Sequence, residues 1–193
     1  GAFEYVEAPA TIAYNHFGNK LATLVSFNKA GLDEQVYKNV AMQVAAMNPI
    51  AVDECDVAED VKEKEIAVAI EKTKAEQIQK AVEAALKKAG INPAHVDSED
   101  HMESNKAKGW ITDEDVAKAK EIIATVSAEK AANLPEAMIQ NIAKGRLGKF
   151  LKEVCLLNQE DIMEAKKSVR DVLKEIDAEL KVVAFKRFTL RAE

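Results

Sequence analysis

Ala13-Tyr14-Asn15-His16-Phe17-Gly18-Asn19-Lys20-Leu21-Ala22-Thr23-Leu24-Val25-Ser26-Phe27 decides the architecture of this chain. In its second half Leu21, Thr23, Val25 and Phe27 alternate with Ala22, Leu24 and Ser26. That is the period-two rhythm of a strand with at least one buried face. Phe17-Gly18-Asn19 supplies the turn before it, because Gly and Asn accept the backbone angles that a tight hairpin demands. A second alternating run closes the chain, with Val183, Phe185, Arg187 and Thr189 set against Val182, Ala184, Phe188 and Leu190. Strands at the two chain ends must meet somewhere. The simplest arrangement is a small three-stranded antiparallel sheet with helices packed on one face, an α+β fold.

Helices fill the space between the strands. Leu32, Val36, Val40, Val44 and Met47 form an apolar stripe at spacings of three and four. Asp33 and Glu34 suit the start of that helix and Asn48-Pro49 its end. From Val57 to Ala89 there is no Gly and no Pro, and Ile66, Ile70, Ile78, Val82 and Leu86 recur at multiples of four. This predicts one long helix, continuous or broken near Lys72-Thr73, stopped by Gly90-Ile91-Asn92-Pro93. Asp97 to Asn105 reads as a polar, partly disordered loop. Thr112-Asp113-Glu114-Asp115 caps a further helix with Val116, Ile122, Ile123 and Val126. Asn133-Leu134-Pro135-Glu136 opens another, with Met138 and Ile142 facing inward, and Ser168-Val169-Arg170-Asp171 caps the last. The chain thus divides into a core of residues 1–56 and 143–193 and a helical, coiled-coil-like insertion of residues 57–142.

Composition narrows the function. Over 193 residues, 48% are apolar and 31% charged, and the net charge of -6 disfavours a phosphate backbone as partner. No apolar run reaches the roughly 20 residues needed to cross a bilayer. Gly1-Ala2-Phe3-Glu4 lacks the basic and apolar regions of a signal peptide, so a cytoplasmic protein is expected. A leading Gly suggests a tag remnant or a piece of something longer. Cys55 and Cys155 read as reduced, buried thiols.

Three segments in order carry a resemblance. Ala13 to Val25, Asn39-Val40-Ala41-Met42-Gln43-Val44-Ala45-Ala46-Met47-Asn48-Pro49 and Lys144-Gly145-Arg146-Leu147-Gly148-Lys149-Phe150-Leu151-Lys152-Glu153-Val154-Cys155-Leu156-Leu157-Asn158-Gln159 resemble the bacterial elongation factor Ts family. Val61 to Ile66 and Leu134 to Phe150 resemble the two limbs of that family's helical insertion, while the stretch from roughly Lys72 to Asn133 is longer than the family leads one to expect and does not map onto it. The resemblance implies a guanine-nucleotide exchange factor for elongation factor Tu, with no catalytic chemistry, cofactor or metal of its own. It places the partner contact at His16, Gly18, Asn39, Gln43, Ala46 and Asn48, with Val40 and Val44 turned to the core. It places homodimerisation at Ile66, Ile70, Ile78, Val82 and Leu86. Two departures stand out. The family's Thr-Asp-Phe exchange element is absent, as is its N-terminal three-helix module, so a fragment that binds Tu but exchanges nucleotide poorly is expected. After Gln159 the family has Pro and an aromatic residue, and this chain has Glu160-Asp161-Ile162.

Other readings compete at each position. His16 is either a partner contact or a turn histidine bonded within the hairpin. The whole chain is either a Tu-binding factor or an oligomerisation module without exchange activity. His95 and His101 flank carboxylates but match no metal-ligand spacing. Trp110 reads as a staple for the helix that follows it. No nucleophile, base and orienting group stand out as a catalytic set.

Overall fold

The computed structural model describes residues 3–190 and places the quoted stretch at the centre of a three-stranded antiparallel sheet. The strands are β1 (Ala10–Asn15), β2 (Leu21–Phe27) and β3 (Val182–Thr189), in the order β1-β2-β3. Opposed residues share a face. Ile12, Val25 and Phe185 therefore lie together, as do Tyr14, Thr23 and Arg187. A register shift at Ser26/Phe27 then sets Phe27 opposite Val182, both buried.

Helix α1 (Glu34–Met47) covers this face. Its first turn is capped by Asp33, whose carboxylate accepts from Gln35 N at 2.9 Å. Tyr37, Val40, Ala41 and Val44 pack into one core with Val25 and Phe27. The Phe27 and Tyr37 rings meet edge to face at 4.7 Å, and the Tyr37 hydroxyl donates to Lys29 O at 2.8 Å. Thr23, polar yet buried on the helix side, donates to Ala41 O at 3.0 Å. The core continues through Leu156, Val169, Leu173 and Leu180, the middle two from α6 (Val169–Ile176). Ser168 caps α6 by accepting from Asp171 N.

The other helices are α2 (Glu59–Lys88), α3 (Glu99–Ala107), α4 (Asp113–Ala132) and α5 (Glu136–Val154). The chain separates into two compact units, Gly1–Glu63 with Leu147–Glu193, and Lys64–Arg146. The first unit has a satellite core of Ala51, Val57, Leu151 and Cys155. The second has its own core of Leu86, Ile91, Val96, Met102, Ile111 and Ala119.

In the helical unit one alternative left open is decided and three expectations are corrected. The long helix α2 is unbroken: Thr73 donates its hydroxyl to Ala69 O at 2.6 Å, so the polar side chain is satisfied inside the helix. The polar stretch Asp97 to Asn105 is no loop. Ser98 accepts from His101 N to start α3, and Met102 and Asn105, three apart, face inward. Trp110 is 61% exposed beneath Lys108 Nζ, 4.7 Å from the ring centre, and its neighbour Ile111 is the buried residue. In α5 the deeply buried positions are Ile139 and Ala143, while Met138 and Ile142 are half-buried. Among the described residues no helix is long and apolar enough to cross a membrane.

Candidate docking surface

The β1–β2 turn is held by its backbone. His16 N donates to Leu21 O at 2.8 Å and Asn19 N to His16 O at 3.0 Å. Gly18 at φ +84 and Asn19 at φ +53 take the left-handed conformations that close it. The Tyr14 hydroxyl and His16 Nδ1 share a hydrogen bond of 3.0 Å, which fixes the imidazole over the end of β1. His16 therefore has the turn role and remains exposed as well. Between His16 and Gly18 the fixed tip projects Phe17, 98% exposed.

Thr23 touches Ala41 and Phe27 touches Tyr37, so α1 runs towards its C-terminus as β2 is followed back towards the turn. The end of α1 consequently lies at the same end of the sheet as the hairpin tip. Ala46, Met47 and Asn48 are exposed there. Asn48 ends the helix in the left-handed region at φ +45, with its N–H donating to Val44 O. Met47, expected in the buried stripe, is 46% exposed. Asn39, half-buried further along α1, accepts from Gln35 Nε2 at 2.7 Å. It lines a small cavity with Val36, Met163 and Ile176.

Gln43 is the clear correction among the expected contact residues. It is 1% exposed and its amide is fully engaged. Nε2 donates to Glu160 O at 3.0 Å and Gln159 Oε1 at 3.3 Å, and Oε1 accepts from Ile162 N at 2.9 Å. Gln159, also buried, donates to Glu153 O at 2.8 Å. The pair latches the loop that departs from the family pattern, and exposes Ile162 and Met163 on its outer side. The base of that loop is clamped by Arg170, which donates to Asp53 at 2.6 Å and to Asn158 Oδ1 at 3.2 Å. Burial pushes the Asp53 carboxyl up, but bonds from Arg170 and the Glu54 amide outweigh it and hold it below its usual range.

The thiols differ from expectation in one case. Cys155 is buried, and desolvation with the nearby Glu54 and Asp53 carboxylates pushes it to about 11, so it is unreactive at neutral pH. Cys55 is exposed, on the short 3-10 turn Glu54–Asp56. His101 pairs with Asp97 within its own helix start, and His95 lies 5.5 Å from the Trp110 ring. No group of three or more His, Cys, Asp or Glu side chains converges on a metal position among the described residues.

Of the expected dimer positions, Leu86 is 2% exposed in the core of its own unit and Val82 packs against that core. Leu86 is thus removed from any contact with a second copy, because its apolar surface is already covered. Ile66, Ile70 and Ile78 are half-buried, and Val68, two residues from Ile66 and Ile70 and so on another face of the helix, is 59% exposed. Sequence reasoning missed Phe17 and Val68. A bulky apolar residue inside a Gly-Asn turn is the signal that could have found the first.

The family model described as elongation factor TS matches residues 1–89 and 68–192. Elongation factor Ts of Bacteroides fragilis is 79% identical over 189 residues, covering 97% of this chain and 57% of that protein. Elongation factor Ts of Bacteroides thetaiotaomicron is 77% identical over the same span, and that of Flavobacterium psychrophilum 35%. The chain therefore spans a little over half the length of these two Bacteroides relatives. Its sequence, three-stranded sheet and helical insertion together place this chain in the elongation factor Ts family.

Proposed function

We propose that this chain is the part of a cytoplasmic elongation factor Ts that docks on elongation factor Tu and supports GDP/GTP exchange there. The observation that carries the reading is the braced hairpin tip, with Phe17 and His16 presented beside the exposed end of α1. A preorganised turn loses little conformational entropy on binding, so a single exposed ring can contribute strongly to affinity. Gly18, Asn39, Ala46 and Asn48 complete the surface, and Gln43 supports it from inside.

Exchange then follows from linkage rather than from covalent chemistry. A factor that binds nucleotide-free Tu more tightly than GDP-bound Tu must weaken GDP binding by the same ratio. A thousandfold ratio corresponds to about 4 kcal/mol of differential contact. With no Thr-Asp-Phe element in its sequence, this chain is expected to bind Tu and to promote GDP release from Tu only poorly by itself. Calorimetry of the chain against purified Tu, with and without GDP, tests the coupling. Stopped-flow release of fluorescent GDP at the full rate of an intact factor would refute the division of labour.

A second reading has a specific observation behind it. Val68 is exposed, and Ile66, Ile70 and Ile78 are half-exposed, along one helix. An oligomerisation module without exchange activity would use exposed apolar residues of that helix and be indifferent to the hairpin. Phe17→Ala and His16→Ala distinguish the two: loss of Tu binding favours docking, and unchanged binding with Val68→Glu abolishing a dimer favours oligomerisation.

A further inference from the structure

Acidic residues are spread very unevenly along this chain. Asp and Glu number 33 against 27 Lys and Arg, yet residues 8–32, 35–52 and 180–190 contain neither Asp nor Glu. Those stretches hold all three strands and the whole of α1 after its first residue. Burial does not explain the exclusion, because the same stretches keep Lys20, Lys29, Lys38, Lys181, Lys186 and Arg187. A core that merely avoided charge would have lost both signs. At the far end of the sheet Lys29 is neutralised by carboxylates from another element, Asp177 at 2.5 Å and Glu179 at 3.7 Å. The hairpin end differs. Asn15 to Lys20 are exposed throughout, as are Ala46, Met47 and Asn48, and none of them is acidic. Leu190 N donates to Lys20 O at 2.9 Å, so the end of β3 runs beside the turn and brings Arg187 near it, opposite Thr23. Lys186, one residue earlier, meets Glu4 at 3.6 Å. Beyond Met47 the surface gives way to a groove where Glu153 and Glu160 mix with lysines.

The sign of the local field follows from these charges. Lys20 and Arg187 each carry a full positive charge, and the carbonyl end of α1 sets against them roughly half a negative one. Phe17 stands in the middle of this region as an exposed apolar ring. Cations, side-chain amides and one ring, cleared of carboxylates, complement an apolar cleft rimmed by Asp and Glu. A nucleic-acid strand is the lesser match, because phosphates call for a row of Lys and Arg and successive bases for successive aromatic platforms. We infer that the hairpin end recognises an acidic rim around an apolar cleft on elongation factor Tu, with Phe17 entering the cleft and Lys20 and Arg187 facing the rim. This rests on the docking reading above and adds to it the chemistry of the surface that the hairpin meets. Excluding carboxylates from the contact keeps like-charge repulsion out of it. Charges at such a rim govern the rate of encounter more than the lifetime of the complex.

The test mixes the whole chain with purified nucleotide-free elongation factor Tu by stopped flow, at about 0.1 M and about 1 M salt, between which the Debye length falls from about 10 Å to about 3 Å. Asn15→Asp/Asn19→Asp places two negative charges on the cleared surface with almost no change of shape. Asp tolerates the left-handed backbone of Asn19 as Asn does. Ala75→Glu/Ala84→Glu adds the same charge at exposed positions of α2 as a control. At the lower salt the first pair is expected to associate about tenfold more slowly than the wild type, and the control less than about twofold more slowly. At the higher salt the first difference should shrink to about twofold. Lys20→Gln should slow association about threefold at the lower salt, and it carries the test if the Asp pair lowers the melting temperature. A loss that is the same at both salts, or as large in the control, overturns the acidic rim and leaves docking itself in place. So does a labelled single-stranded RNA oligonucleotide that the wild type binds and the Asp pair does not, with Tu association unchanged. A wild type that fails to bind Tu removes the docking reading and the rim together.

Discussion

Gln43 and Phe17 each occupy the position usually given to the other kind of side chain. Gln43 is an amide in a core, and it is tolerated there because all its bonds are made, to Glu160 O, Gln159 Oε1 and Ile162 N. Gln43→Ala leaves the buried Gln159 amide and the loop groups Glu160 O and Ile162 N without that partner, which costs about 1–3 kcal/mol. Urea denaturation should show that loss, and amide exchange should quicken first at Ile162. Phe17 is a phenyl ring in water, touching nothing that folding requires. Phe17→Ala should therefore leave stability within about 0.5 kcal/mol and still weaken binding to Tu by about tenfold or more. Thermal melts and calorimetry on one preparation check both halves. Polarity in the sequence could not separate these cases. Gln43 lies three residues from Val40 and next to Val44, inside the apolar stripe, but a satisfied buried amide and a solvated one are written with the same letter. The hairpin itself was legible, since alternation and a Gly-Asn turn are local signals.

At the scale of elements, caps and short-range bonds decide what apolar periodicity leaves undetermined. Helix α3 carries only Met102 as a large apolar residue, so no stripe announced it. Its start depends on Ser98 and its inward side on Met102 and on Asn105, whose amide donates to His95 O at 3.1 Å. Ser98→Ala should cost about 1 kcal/mol and fray α3 before its neighbours, readable as faster exchange at His101 and Met102. The long helix α2 was legible over its whole length, and the doubt at Thr73 vanished because a threonine can return its hydroxyl to the carbonyl four residues back. The short turn Glu54–Asp56 is anchored to α6 through Asp53 and Arg170. Asp53 is held below the ordinary range of an aspartate carboxyl, and a depressed carboxyl contributes stability that is present above the unfolded value and lost as pH falls through the folded one. The stability gap between the wild type and Asp53→Asn should thus be full near neutrality and close as the pH falls below the ordinary aspartate range. Chemical denaturation as a function of pH reads it directly, and a gap that stays constant with pH would assign the effect to packing instead.

The whole molecule is two cores on one chain, and the way damage spreads between them bears on function. The sheet unit buries Val25, Phe27, Val44 and Leu156, and the helical unit buries Leu86, Val96, Met102 and Ile111. Neither list draws on the other, although the residues of α2 and α5 are divided between the two units. Local unfolding follows such divisions, because a unit with its own buried apolar surface can open alone. Leu86→Ala removes a fully buried leucine side chain and should cost about 2–5 kcal/mol, all of it from the helical unit. Native-state amide exchange should accelerate across α3 and α4 while the β2 amides keep their protection. Since the hairpin tip and the end of α1 belong to the sheet unit, affinity for Tu should change by less than about twofold. Phe27→Ala, with a comparable cost of about 3–5 kcal/mol, should do the reverse, abolishing Tu binding while the helical unit keeps its exchange protection. If Leu86→Ala weakened Tu binding as severely as Phe27→Ala, the docking surface would have to include the helical unit, and the hairpin could no longer account for partner recognition by itself.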